Sequence, residues 1–174
     1  MVGPSGVGKS TLLESARLRL DSIRVSDVDS HIQETDRALY NHGGDRWNEF
    51  WRASVKYFES LEEACTAANQ FCLVDVGVGS LQTEEAVSYF ESRNTIVVWD
   101  SPESVFQRVR NRPGSMWRGR RLQEFKGVEY SGRRRRIYDA AKYHLSVEGL
   151  TKEQAIEQFL QLLKQISFPS FGIS

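Results

Sequence analysis

The sequence predicts an α/β fold, three layers in the order α/β/α around a parallel sheet. Short apolar segments alternate with longer amphipathic ones along the whole chain, the pattern of helices packed on both faces of such a sheet. A glycine-rich turn, Gly3 to Gly8, runs straight into one of the amphipathic stretches. At 174 residues and 40% hydrophobic content, the chain suits one compact domain with its own core, spanning 1–174.

The elements follow in order. A first helix is expected from about Lys9 to Leu20, then a short strand Ile23–Val25 leading to Asp27-Val28-Asp29. A helix from about His31 to Tyr40 comes next. A long helix, about Asp45 to Asn69, carries Trp47, Phe50, Trp51, Val55, Phe58 and Leu61 at helical spacing. Phe71–Val76 is an apolar run closed by Gly77 and reads as a buried strand. A helix around Thr83–Glu91 precedes the strand Thr95–Trp99. Ser101 caps the next helix, with Pro102 at its first position. Residues 112–128 hold Pro113, Gly114, Gly119 and Gly127 with weak periodicity, which reads as a flap. A helix from about Ser131 to Tyr143 and a strand His144–Val147 follow. Thr151-Lys-Glu-Gln154 has the form of a capping box opening a last helix to about Ile166.

Charge and cysteine content narrow the function. Net charge is zero, so no protein-wide field favours nucleic acid or a membrane surface. The charge is uneven, however: between Arg108 and Arg136 eleven Lys/Arg face two acids, which points to a local anionic ligand. Cys65 and Cys72 show no metal or redox spacing and read as core residues of a reducing compartment. His31, His42 and His144 have no mutual metal-site spacing. No apolar run approaches the ~20 residues a membrane span needs, and no leader is visible. The expectation is a cytoplasmic monomer with small-molecule partners.

Gly3-Pro4-Ser5-Gly6-Val7-Gly8-Lys9-Ser10 fits GxxxxGK[ST] at every fixed position. Glycines let the backbone curl so that successive N–H groups converge on one cluster of phosphate oxygens. The helix starting at Lys9 adds its positive dipole end. Lys9 is then the cation for the β- and γ-phosphates and Ser10 a ligand for magnesium. Gly3, Ser5, Gly6, Val7, Gly8, Lys9, Ser10 and Thr11 are the expected ATP-binding residues. Only Met1 and Val2 precede the loop, where such loops follow a buried strand of about five residues. The first strand is therefore expected to be truncated, a deficit of roughly 1.5–3 kcal/mol for each missing buried side chain.

Asp27 and Asp29, two apart at a strand end, can face the same side at the carboxyl edge of the sheet, where ligands bind in open α/β folds. One carboxylate could orient magnesium and the other accept a proton from an attacking hydroxyl. Equally, Asp29 or Ser30 could cap the helix at His31.

With these residues in place, the sequence resembles the shikimate kinase family over nearly its whole length. The family has a phosphate loop and then an Asp-x-Asp after the second strand, similar to Gly3–Ser10 and Asp27/Asp29 here. The resemblance implies that Asp29 touches the acceptor hydroxyl and Asp27 the magnesium shell. A Gly-acid pair and then an arginine that binds the substrate carboxylate are matched loosely by Gly44-Asp45 and Arg52, with Arg46 the other candidate. Three consecutive glycines beside the acceptor ring correspond to Gly77-Val78-Gly79, with Asp75 just before and Val78 in the middle place. The lid's Arg-Pro is matched by Arg112-Pro113, and Arg-x-x-x-Tyr by Arg134 and Tyr138. Arg112 is thus implied as a catalytic cation, Arg108 as a nucleotide contact, and Arg134, Gly77 and Gly79 as substrate contacts.

Guanidinium groups in a flap make sense for phosphoryl transfer, since they contact several γ-phosphate oxygens while excluding water. The expected activity is transfer of the ATP γ-phosphate, with Mg2+, to a hydroxyl of a small polyhydroxylated acid. Shikimate is the first candidate. A gluconate-kinase-like sugar-acid kinase, similar around Arg110–Gly114, is the second. A non-catalytic nucleotide-binding protein is the rival from another class.

Overall fold

The computed structural model describes residues 1–21, 23–41 and 45–167. Gly44 and His42, and the tail beyond Ser167, lie outside the described residues.

The chain runs α1 (Lys9–Arg19), β1 (Ile23–Asp27), α2 (Val28–Thr35), α3 (Arg37–Tyr40), α4 (Trp47–Ala67) and β2 (Phe71–Asp75). A short 3-10 turn (Val78–Leu81) leads to α5 (Glu84–Glu91), β3 (Ile96–Trp99) and α6 (Pro102–Arg110). Then come α7 (Leu122–Glu129), α8 (Gly132–Ala140), β4 (Tyr143–Ser146) and α9 (Lys152–Ser167). β1 and β2 pair in parallel with Asp27 opposite Asp75, and β3 and β4 pair in parallel.

Met1 and Val2 join these two pairs into one sheet. Met1 N donates to Val74 O at 2.6 Å and Val76 N to Met1 O at 2.9 Å. Val2 N donates to Ile96 O and Val98 N to Val2 O, both at 2.9 Å. Two residues take the central position between β2 and β3. Behind Met1, between β2 and β3, an apolar groove of about 350 Å³ is bounded by Leu61, Leu73 and Ile96.

Side-chain alternation divides the core into two faces. Met1, Leu73, Ile96, Val98 and Leu145 pack with α1, α6, α7 and α9. Val2, Val76 and Val97 pack with α2, α4, α5 and α8 through Ile32, Phe50, Trp51, Phe58, Phe90 and Ile137. These are the three layers. Among the described residues no helix is long and apolar enough to cross a membrane.

Local chemistry explains where the elements depart from expectation. The stretch 31–40 is two helices because Asp36 breaks it, its carboxylate accepting from Leu39 N at 2.8 Å to start α3. The second half of the expected flap is helix α7, anchored by fully buried Phe125 against Phe106 and Trp117. The capping box of α9 is present: Gln154 N donates to Thr151 Oγ1 at 3.2 Å and Thr151 N to Gln154 Oε1 at 2.9 Å. Cys65 is buried, Cys72 half-buried, and both are free thiols.

Candidate active site

The glycine-rich loop wraps the space above the carboxyl end of the sheet. Gly6 has φ +86°, and a Cβ on it would stand 2.1 Å from Val109 Cγ1 and 3.7 Å from the Arg112 guanidinium carbon. Glycine is therefore required twice over there, by backbone and by space. The same contact brings exposed Arg112 over the loop. Lys9, 9% exposed, donates from Nζ to Gly3 O at 3.1 Å, folding the cation back along the loop. Ser10 and Thr11 are exposed on the first turn of α1. Beside the loop, a cleft of about 160 Å³ is lined by Gly8, Thr11, Arg108, Val147, Leu150 and Thr151. Arg108 ion-pairs with buried Asp100, which aims it across α6.

Three carboxylates gather opposite the loop. Asp27 ends β1 and caps α2, its Oδ1 accepting from Ser30 N at 2.6 Å. The cap is thus Asp27, not Asp29 or Ser30, which leaves Asp29 free for other work. Asp29 sits in the first turn of α2 with Oδ1 buried and without a hydrogen-bond partner. Burial pushes its carboxyl up to about 6, reinforced by the charges of Asp27 and Asp75 and partly offset by Lys9. Gly77 is what lets it fit: a Cβ there would stand 1.9 Å from Asp29 Oδ2. The backbone at Gly77 is ordinary, φ −69° and ψ 162°, so the requirement is space alone. A Cβ on Gly79 would stand 2.9 Å from Phe50 Cε1, placing the 3-10 turn against α4.

Asp75, the third carboxylate, carries no role in the sequence reading. It is 4% exposed, with Oδ1 4.0 Å from Lys9 Nζ. Burial raises its pKa against the pull of Lys9. A signal for it was present: an acid closing an apolar strand, two residues before a glycine, is where such folds place a metal-orienting aspartate. Glu129 is the other residue the motifs did not reveal. It is 2% exposed, accepts from Ser5 N at 3.1 Å, and lies 3.0 Å from Arg134 Nη1. Nothing in the linear sequence marks it beyond being one of two acids in a basic segment.

The other arginines divide. Arg134 is 8% exposed on α8, and Tyr138 one turn on has a buried hydroxyl without a partner. Arg133 and Arg136 pair with Glu84 at the surface. Arg52 is exposed on α4, and Arg46 pairs with Glu49. Trp51 and Trp117 are core residues.

No group of three or more His, Cys, Asp or Glu among the described residues could hold a metal by itself. The donor set nevertheless suits Mg2+, which takes one or two carboxylates or hydroxyls and completes its shell with water and substrate phosphates.

The fold has counterparts among known proteins. The family model described as shikimate kinase matches residues 5–164. Among solved structures, shikimate kinase from Bacteroides thetaiotaomicron superposes with a TM-score of 0.70 at 19% identity, covering 95% of each chain. Shikimate kinase from Aquifex aeolicus gives 0.67 at 21% identity, covering 96% of each. Shikimate kinase from Acinetobacter baumannii in complex with shikimate gives 0.64 at 17%, covering 98% of this chain and 92% of the other. No curated protein sequence matches this one.

Proposed function

The chain belongs to the shikimate kinase family, phosphotransferases with an alcohol acceptor, and from that premise we propose that it phosphorylates shikimate with Asp29 as the base. The observation that carries the assignment is the Asp29 carboxylate, held against Gly77 with an unpartnered oxygen beside the phosphate loop.

The residues divide the work as follows. Gly3, Ser5, Gly6, Val7, Gly8, Lys9, Ser10 and Thr11 cradle the nucleotide phosphates through backbone N–H groups, the Lys9 ammonium and the hydroxyls. The cleft at Arg108 and Leu150 takes the base. Arg112, over Gly6, meets charge that develops on the γ-phosphate oxygens. Ser10 and Asp27 would hold Mg2+, with Asp75 helping to orient it; the bound ion would neutralise charge on the nucleotide phosphates. The part of segment 112–128 that precedes α7 is the flap that covers the reaction.

Asp29 takes the proton from the acceptor hydroxyl as that oxygen bonds to the γ-phosphorus. The bond from the γ-phosphorus to its bridging oxygen breaks, and ADP leaves with the electron pair. A carboxyl near 6 is ionised at neutral pH, yet more basic than an ordinary aspartate. Gly77 and Gly79 keep the acceptor floor open. Arg134 on α8 and Arg52 on α4 supply cations for an acid acceptor.

An ADP-release assay with ATP and Mg2+ over shikimate, gluconate and no acceptor tests the reading. Turnover is expected with shikimate, and Lys9→Ala should lower it by about 10²–10³. Turnover with gluconate alone would move the acceptor. ATP binding with no turnover on any acceptor would make the chain a binding protein.

A further inference from the structure

The phosphate loop is already in contact with an anion of the chain itself. Glu129, the last residue of α7, reaches between the loop and α8. Its Oε2 accepts from Ser5 N at 3.1 Å and stands 3.0 Å from Arg134 Nη1, an ion pair without hydrogen-bond geometry. Both side chains are almost wholly buried. A carboxylate taken out of water is costly unless it is paired and hydrogen-bonded, and here one oxygen serves both contacts.

That oxygen holds two groups which the proposed function needs elsewhere. Ser5 N–H belongs to the set that converges on nucleotide phosphate. Arg134 is the buried guanidinium assigned to the acid acceptor. One N–H cannot serve a carboxylate and a phosphoryl oxygen at full strength, and two anions at that distance repel. Phosphate at Ser5 therefore pushes Glu129 away and frees Arg134 at the same moment.

We propose that Glu129 is a positioning residue that couples the two halves of the site: it stands in for phosphate at Ser5 N–H, keeps Arg134 engaged, and surrenders both when nucleotide binds. Nucleotide binding then raises the affinity for the acid acceptor. By linkage the acceptor raises nucleotide affinity by the same factor. This rests on the assignment of the loop to nucleotide phosphate, and the experiment separates the two.

The measurement is calorimetric binding of a non-hydrolysable ATP analogue with Mg2+, and of the acceptor identified by turnover, each alone and in the presence of the other. The parent should show a mutual enhancement of about fivefold or more. Glu129→Gln, which removes the competing charge but keeps the shape, should bind the analogue several-fold tighter and lose the enhancement. Because that variant leaves Arg134 without its counter-charge, Glu129→Asp is the second test. It keeps the charge for Arg134 on a side chain too short to reach Ser5 as well, so analogue affinity should again rise in a folded protein. A purely structural Glu129 would lower the melting temperature in both variants without changing the coupling. Unchanged or weaker analogue binding in both variants, or an enhancement that survives in Glu129→Gln, overturns the proposal. Failure of the parent to bind the analogue at all overturns the loop assignment instead.

Discussion

The proposed nucleotide and acceptor sides of this site are built by opposite means. The phosphate-binding part of the nucleotide side is one run, residues 3–11, made mostly of backbone. Its shape comes from glycines with positive φ, and its one buried cation is tied to Gly3 O. The acceptor side is made of side chains and draws on residues as far apart as Asp29, Gly77 and Arg134. Among the described residues it also holds the unsatisfied groups, since Asp29 Oδ1, Asp75 Oδ1, Arg134 Nη1 and the Tyr138 hydroxyl are buried without hydrogen-bond partners. Backbone amides can be preorganised for an anion at little cost, because they satisfy the fold's own geometry. A base must instead be kept hungry for a proton, and that requires keeping it from partners and from water.

If the difference is real, a change at Asp29 should damage chemistry without touching nucleotide. Asp29→Asn keeps size and shape but cannot accept the proton. Turnover should fall by about 10²–10⁴, while the nucleotide dissociation constant stays within a few-fold by calorimetry. Lys9→Ala should weaken both. The parent's rate should also drop about tenfold per pH unit below the Asp29 value of about 6, and level off above it. An Asp29→Asn variant that turns over like the parent would show that the acceptor side lies elsewhere.

A smaller effect probes how tightly the acceptor side is fitted. Gly77→Ala adds one methyl group at the Asp29 carboxylate without backbone strain, because the glycine's φ is ordinary. The carboxylate must shift by about an ångström, and a misplacement of that size can cost about 10²-fold in rate. Gly79→Ala meets only the edge of the Phe50 ring, which can tilt, so a few-fold rise in acceptor KM is expected. Steady-state kinetics on the two variants rank them. Equal effects would mean that Gly77 is not shaped by Asp29.

The same contrast explains what could be read from the sequence. The phosphate loop was legible because its chemistry is local: the spacing of Gly3, Gly6, Gly8 and Lys9 is itself the structure. The strands at Phe71–Val76 and Thr95–Trp99 were legible as short apolar runs, and the capping box at Thr151 from its spacing. Asp29 was visible but undecided against a helix cap, and only the contact from Asp27 to Ser30 N removes that alternative. Glu129 was invisible, since its meaning depends on α7 bringing residue 129 to residue 5. Helix α7 was hidden for a related reason. Its glycine and weak periodicity argue for loop, and burial of Phe125 against Phe106 and Trp117 overrides them.

The smallest expected effect concerns stability, and its sign is opposite to that on rate. Asp29 has a folded-state value raised from 3.8 to about 6. Between those values the folded protein binds more protons than the unfolded chain, so stability falls as pH rises through the interval. Below 3.8 the group costs nothing, and above about 6 its full penalty is present. Each unit corresponds to about 1.36 kcal/mol, and the partial exposure of Asp29 brings the total to on the order of 2 kcal/mol. Asp29→Asn cannot ionise and escapes the penalty. At pH 7.5 the nearly inactive variant should therefore melt about 4–8 °C above the parent, at the usual few degrees per kcal/mol for a chain of this size. The two melting curves should converge as the pH is lowered toward 4. Other carboxylates titrate in the same range, but they do so in both proteins, so the difference isolates Asp29. A variant that melts at or below the parent at neutral pH would mean that Asp29 has a stabilising partner in solution. The acceptor side would then be as well satisfied as the phosphate loop.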